Sequence, residues 1–408
     1  MPTAIEPDLA DAASRSADLE PVDDLDVASR RRRTRLWIGA LTLALIASLP
    51  LAIGLGPVAI APETILGIAG HHLVGWPRAG SWTDAEDSIV WLVRMPRVLL
   101  GAIVGAGLAV SGVALQAMVR NVLADPYLLG VTSGASTGAA ATILFGFGAG
   151  LGVGASSLTA SAFLGALAAT VMVYLLARVG GRITAIRLLL AGVAVGYVLS
   201  ATTSFLIFAA SDSPEATRAV LFWLLGSLSL ARWSSVIVAG AIVLACVAVL
   251  VLWSRRLGAL AIGDETAHTL GTSPVRLRSQ ALVVVALCVG ALVAVSGGIG
   301  FVGLVVPHVA RLCVGGVHRR VIPVAALIGA IFLIWADVVA RVAFDPRELP
   351  PRHRHGDRRS AAAVHPRPAL PGAGVVDCVD DEGSHHAPDP HAHPLARRRR
   401  ARSRRVRR

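Results

Sequence analysis

The stretch Gly263-Asp264-Glu265-Thr266-Ala267-His268-Thr269-Leu270-Gly271 places two carboxylates and an imidazole between two glycines. Paired carboxylates suit the start of a helix, where the dipole favours negative charge. Gly271 suits a helix C-terminal cap, and Pro274 follows it. The pattern predicts a short helix, a glycine turn and a second short helix. An ordinary connector would read the same way, and so would a docking surface for a separate motor protein.

Other polar residues are sparse. Asp337 precedes Arg341 by four residues, the spacing of an ion pair on one helical face. An acid inside an apolar stretch is a functional candidate; pairing is favoured here over proton relay. Gln116 and Asn121 lie near one end of another apolar stretch. His308 follows Pro307 at an expected helix break, and capping or packing is favoured over metal ligation. The four cysteines, Cys246, Cys288, Cys313 and Cys378, show no C-x-x-C spacing. They read as small hydrophobes rather than ligands or disulfides. No nucleophile–base set or metal-spaced histidine cluster appears, so no cofactor is expected and a membrane enzyme ranks last.

The chain of 408 residues contains no lysine; all 38 basic residues are arginine. That excludes a G-x-x-x-x-G-K-[ST] phosphate loop and a Schiff-base lysine. If ATP drives this protein, another chain must bind it.

Composition sets the frame that positions these groups. Only 16% of residues are charged, against about 25% in a soluble domain. Charge-free blocks cover Trp37–Ile60, Val98–Met118, Leu129–Ala177 and Ser279–Val306. About 20 apolar residues span a bilayer, so the chain is read as an all-α polytopic membrane protein. Helices are predicted near 36–58, 97–118, 128–147, 157–177, 186–209, 232–253, 279–297, 304–315 and 321–341, with a partial helix at 215–230. Arg30–Arg33 and Arg35 precede the first span and predict a cytoplasmic N-terminus. Arg120, Arg178 with Arg182 and Arg187, Arg255 and Arg256, Arg276 and Arg278, and Arg319 and Arg320 then fall in alternate, inside loops. The loops 62–93, 146–154 and 210–217 are assigned outside. This topology sets Arg94, Arg97 and Arg341 at outward helix ends.

Gly130, Gly134 and Gly138 form a GxxxGxxxG series, and Gly101 with Gly105 another GxxxG. Such ridges let helix backbones approach closely in lipid. They predict a tight bundle and carry no information about cargo.

Four stretches together resemble the FecCD-type permeases, importers of iron–siderophore, haem and cobalamin. They are Arg94-Met-Pro-Arg97 with Ser111-Gly112 and Gln116; Arg120-Asn121 through Asp125-Pro126 with Leu129-Gly130 and Gly134-Ala135; the 263–271 segment; and Gly298 through Pro307-His308 with Arg311-Leu312. Ala336-Asp337 and Arg341 extend the match, which spans roughly 36–350. The resemblance implies a ten-helix bundle of the type II ABC importer permease kind, multi-pass in the cytoplasmic membrane. It implies a second permease subunit, identical or not, two cytoplasmic ATP-binding subunits and an extracytoplasmic substrate-binding protein. On this resemblance Gly263, Asp264, Glu265, Ala267, Leu270 and Gly271 would enter the ATPase cleft. Arg94, Arg97 and Arg341 would meet carboxylates of the binding protein. Interfacial snorkelling is the plainer account of those arginines. The alternative function is an ion- or proton-coupled carrier, disfavoured because the spans are nearly charge-free.

Three divisions are expected: a disordered cytoplasmic leader at 1–35, a permease domain at 36–350, and a basic tail at 351–408. The tail holds 7 of the 12 histidines and 14 of the 38 arginines. The family continues there with an apolar tenth helix. Back-translating Arg352–Arg359 one nucleotide out of phase permits Gly-Ile-Gly-Met-Val-Thr-Ala, which resembles the opening of that helix. The tail is therefore read as a frameshifted remnant and not as a nucleic-acid site.

Overall fold

The computed structural model describes residues 27–343, apart from 57, 78–79, 81, 148–155, 179–183 and 211–212. Most of the expected leader, and the whole tail at 351–408, lie outside the described residues. Within them the chain is helical, with no strand.

Helix α1, Val27–Gly54, begins nine residues ahead of the expected start at 36. Its arginine-rich first turns continue the apolar span that follows, with Thr34 Oγ1 bonded back to the Arg30 carbonyl at 2.8 Å. The expected outside loop 62–93 is mostly helical as well. It holds α2, Pro62–Val74, and α3, Asp84–Ser88. Pro62 sits in the first turn of α2, where its missing N–H costs nothing. Thr83 and Glu86 close a reciprocal capping box on α3, satisfying two backbone donors. That local signature, Thr-x-x-Glu, was present in the sequence.

A π-helical turn, Ile89–Arg94, joins α3 directly to α4, Met95–Val119. Asp84–Val119 is thus one continuous helix of 36 residues, about 54 Å long at 1.5 Å per residue. After it come a 3-10 turn at Pro126–Leu129, α5 at Val131–Phe145, α6 at Ser156–Ala177 and α7 at Ala185–Ala209. The partial helix is α8, Pro214–Leu224. Then follow α9 at Trp233–Leu252, α10 at Ser254–Ile262, α11 at Asp264–Thr269 and α12 at Pro274–Ser296. The last two are α13, Val302–Val314, and α14, His318–Ala343. Among the described residues seven helices are long and apolar enough to cross a membrane, and α5 and α13 are shorter apolar helices.

Helix α4 is the axis of the bundle, buried on nearly every side. It packs against α14, α12, α13, α9 and α10. Small residues make this possible. A Cβ on Gly105 would fall on the Gly329 carbonyl oxygen of α14, and one on Gly112 would fall on that of Gly303 in α13. With no side chain between them, the backbones touch, the packing that lipid favours. Gly134 and Gly138 do the same on α5, against Gly165 and Ser161 of α6. Thr137 and Thr203 join α5 to α7 at 2.9 Å.

The ridge reading needs two corrections. Gly130 is not a helix-face residue: at φ 70° it ends the 3-10 turn and precedes α5, a left-handed conformation that favours glycine. Gly101 faces the Leu228 side chain, not a backbone. By contrast α1, α7 and α9 leave most of their apolar surface exposed, as lipid-facing helices do.

Candidate functional site

The polar groups collect at the two ends of α4. One end, the rim, is where α1 and α14 finish and α4 begins. The other, the base, is where α4 finishes and α10, α11 and α12 meet.

At the rim the structure brings Arg94, Arg97 and Arg341 together. Arg94 ends the π turn and is buried. Its Nη1 donates to the Ile53 carbonyl at 2.9 Å, and its Nη2 to that of Val58 at 2.6 Å. Those carbonyls lie at and beyond the end of α1, where no intrahelical donor reaches them. Arg97 Nη2 and Arg341 Nε both meet Asp337, at 3.0 and 3.1 Å. Arg341 Nη2 also donates to the Ala52 carbonyl at 3.0 Å. The pairing of Asp337 with Arg341 follows from their spacing. That with Arg97 was missed, because 240 residues separate the two; the available signal was one acid among several arginines in apolar sequence.

This geometry changes one premise of the sequence reading. Arg94, Arg97 and Arg341 are not free charges standing on a surface. All three are at least nine-tenths buried, and their donors turn inward onto α1 and α14. Arg97 and Arg341 share the one carboxylate while Arg94 meets only backbone carbonyls, so the cluster keeps a formal surplus of two positive charges. Asp337 also lines an open depression of about 300 Å³ with Ser227, Leu228 and Gly298–Gly300.

At the base the 263–271 segment takes the expected local form. Asp264 and Glu265 open α11, and Gly271, at φ 73°, ends it with its N–H on the His268 carbonyl at 2.9 Å. The helix after Gly271 is the long α12, not a second short one. Ala267 is fully buried, whereas Glu265, His268 and Leu270 are exposed. Gly263 is extended, a conformation open to any residue.

Asp264 is tied down. Its carboxylate receives Arg278 Nη1 at 2.9 Å and Nη2 at 2.7 Å, a two-pronged pair. Arg278 Nε donates to the Met118 carbonyl in the last turn of α4 at 3.0 Å. These hydrogen bonds hold the Asp264 carboxyl below its ordinary pKa, with Arg120 and His268 adding to the effect against some burial. Arg278 is 1% exposed and is the residue that sequence reasoning missed; it was counted only as a topology marker.

Gln116 links the same end of α4 to α13. Its amide donates to the Ala124 and Leu304 carbonyls, both at 3.3 Å, and accepts from Arg311 at 2.6 Å. Asn121 caps its own turn through the Leu123 N–H at 2.9 Å. Tyr127 pins the loop after α12, exchanging hydrogen bonds with the backbone of Ile299 at 2.5 and 2.9 Å. Helix α13 runs unbroken through Pro307, so the expected helix break is absent, and His308 stands exposed within the helix rather than capping or packing. Cys246 and Cys288 are buried free thiols. Among the described residues no group of three or more His, Cys, Asp or Glu is arranged to hold a metal.

Known proteins share this plan. The model of the FecCD transport family matches residues 43–351. A cobalamin import system permease from Halobacterium salinarum is 44% identical over 258 residues, covering 63% of this chain and 68% of that one. A hemin transport system permease from Yersinia pestis is 41% identical, covering 66% and 80%. An Fe(3+)-citrate import system permease from Bacillus subtilis is 38% identical, covering 65% and 77%. A solved ABC transporter, assigned provisionally to the metal-chelate type and captured facing inward, aligns with a TM-score of 0.65 at 30% identity. It covers 76% of this chain and 91% of that one. A buried central helix, charge confined to its two ends and a match across most of the chain all agree: the chain belongs to the FecCD transport family and is a polytopic permease subunit of the ABC-importer kind.

Proposed function

We propose that this permease carries an iron–siderophore complex across the cytoplasmic membrane, with haem and cobalamin as the other cargoes the relatives suggest. One observation carries the transport reading. The α11 helix is rooted in the core through Asp264 and Ala267, yet it presents Glu265 and Leu270 outward beside Ile262. A rooted helix with an exposed apolar edge is suited to receive force from a partner. The base is then cytoplasmic and the N-terminus lies inside, as the arginines before α1 require. Two ATP-binding subunits dock there, and a second permease subunit, identical or related, completes the pore.

The rim faces outward in this arrangement. Its two surplus positive charges favour an acidic face on a substrate-binding protein, and such charges mainly set docking register and on-rate. Arg94, Arg97 and Arg341 act by holding that rim in shape and charge.

Residues 351–408 are proposed to be read out of frame, since similarity to the family ends at residue 351. Sequencing the gene around codon 350 tests this, and a confirmed uninterrupted frame contradicts it.

The functional test is purification of the assembled complex, with mass spectrometry of bound ligand. An ATP-binding subunit should co-purify with the wild type and be lost from Gly271→Pro, because proline cannot take the φ of 73° found there. A chain that purifies without any ATPase overturns the reading.

A further inference from the structure

Within that proposed function, which this step rests on, the base raises a narrower question: how a push on α11 reaches the translocation path. Helix α11 has only six residues and is too short to form a stable unit alone. Its position is set by what holds it. Ala267 packs beneath it, and Asp264 fastens its first turn.

Arg278 is built to make that fastening rigid. It belongs to the second turn of α12, so its backbone is anchored in a buried helix. Its guanidinium uses three separate nitrogens: two on Asp264 and one on the Met118 carbonyl of α4. The planar fork fixes the angle between these partners. Three elements, α4, α11 and α12, therefore meet on one side chain. Arg120 and His268 lie close enough to Asp264 to act on its charge, but Arg278 alone bridges it to α4.

The Met118 contact matters because of what α4 is. It runs unbroken from the base to Arg97 and Arg94 at the rim, and onward through the π turn into α3. A displacement delivered at Met118 enters a helix that touches both ends.

We infer that Arg278 is a positioning residue that clamps Asp264 to the end of α4, so that the ATPase-facing helix and the axis of the bundle move as one body. A purely stabilising pair is the competing account, and it differs in what apolar replacement does. A buried ion pair exchanged for packed hydrophobes commonly keeps its stability, but it has no fork to fix an angle.

The experiment uses the full chain assembled with its ATPase. Ser227→Cys, in the rim depression, is labelled with a membrane-impermeant maleimide, with and without ATP and vanadate. In the wild-type background the labelling rate should respond to nucleotide. Arg278→Lys keeps the charge without the fork, and Arg278→Met keeps much of the volume without the charge, leaving the Asp264 side chain, 43% exposed, to water. Both should bind the ATPase and hydrolyse ATP, while the nucleotide response at Ser227→Cys falls at least about fivefold. A response that survives in either assembled variant overturns the inference, as does failure of both to assemble, which would make the pair a folding element. Absence of an ATPase from the wild-type preparation instead refutes the proposed function itself.

Discussion

Rim and base both bury arginine in a membrane protein, yet they settle the charge differently. At the rim, Arg97 and Arg341 converge on Asp337, and all partners belong to long helices of the bundle, α1, α4 and α14. At the base, Arg278 reaches out of the bundle to Asp264, on a six-residue helix whose neighbours face solvent. The Asp337 side chain is 9% exposed, and that of Asp264 43%. A charge cluster closed within its own scaffold stiffens it. One shared with an exposed helix links the scaffold to something outside.

The largest test of that contrast is Asp337→Asn. It strands two buried guanidinium groups and should cost about 3–5 kcal/mol, read as a lower unfolding temperature in detergent and a poor yield. Should it cost no more than the same change at Asp264, the contrast fails. Gly105→Leu should come next, at about 3 kcal/mol, because its side chain must displace the Gly329 backbone. Gly101→Ala, which meets only the tip of Leu228, should be far milder.

Asp264→Asn should cost less than either, about 1–2 kcal/mol, since water can reach the site when the carboxylate is lost. Its pH dependence sharpens the point. The carboxyl is held low chiefly by the Arg278 hydrogen bonds. A group whose folded pKa is depressed adds stability that is complete above its unfolded value, about pH 4, and fades as pH falls through the folded value. The gap in unfolding temperature between wild type and Asp264→Asn should stay constant from about pH 7 to 5 and close only below about pH 4. A gap closing near pH 6 would contradict the pairing. Smallest is Asp87→Asn, which removes the negative charge from the exposed contact to His72 at 3.0 Å and should shift stability by less than about 1 kcal/mol.

The sequence disclosed what depends on local pattern. Among the described residues the seven long apolar helices lie close to where charge-free length put them, because lipid demands about 20 apolar residues whatever the neighbours are; the shorter α5 and α13 showed as apolar runs too. Gly271, Asp264 and Asp337–Arg341 were legible for the same reason: caps and i, i+4 pairs are short-range. What escaped was set by distant packing. Arg97 meets Asp337 across 240 residues, and Arg278 reads as a topology marker until α4 is brought beside it. The helical 62–74 and 84–94 were passed over because their polar residues broke the apolar run, although Pro62 and the Thr83–Glu86 box signalled both starts. Gly130 shared its neighbours' spacing but sits outside the helix, and spacing alone carries no φ.

The mutual contact of Gly105 and Gly329 has a mechanical meaning. It lies 13 residues from Met118 and 11 from Arg94 along the same helix, about 20 and 17 Å respectively. Two backbones in bare contact set how closely α4 and α14 approach. Above that crossing the Arg97–Asp337 pair joins the same two helices a second time. Two rivets on one seam hold an angle where a single rivet holds only a spacing.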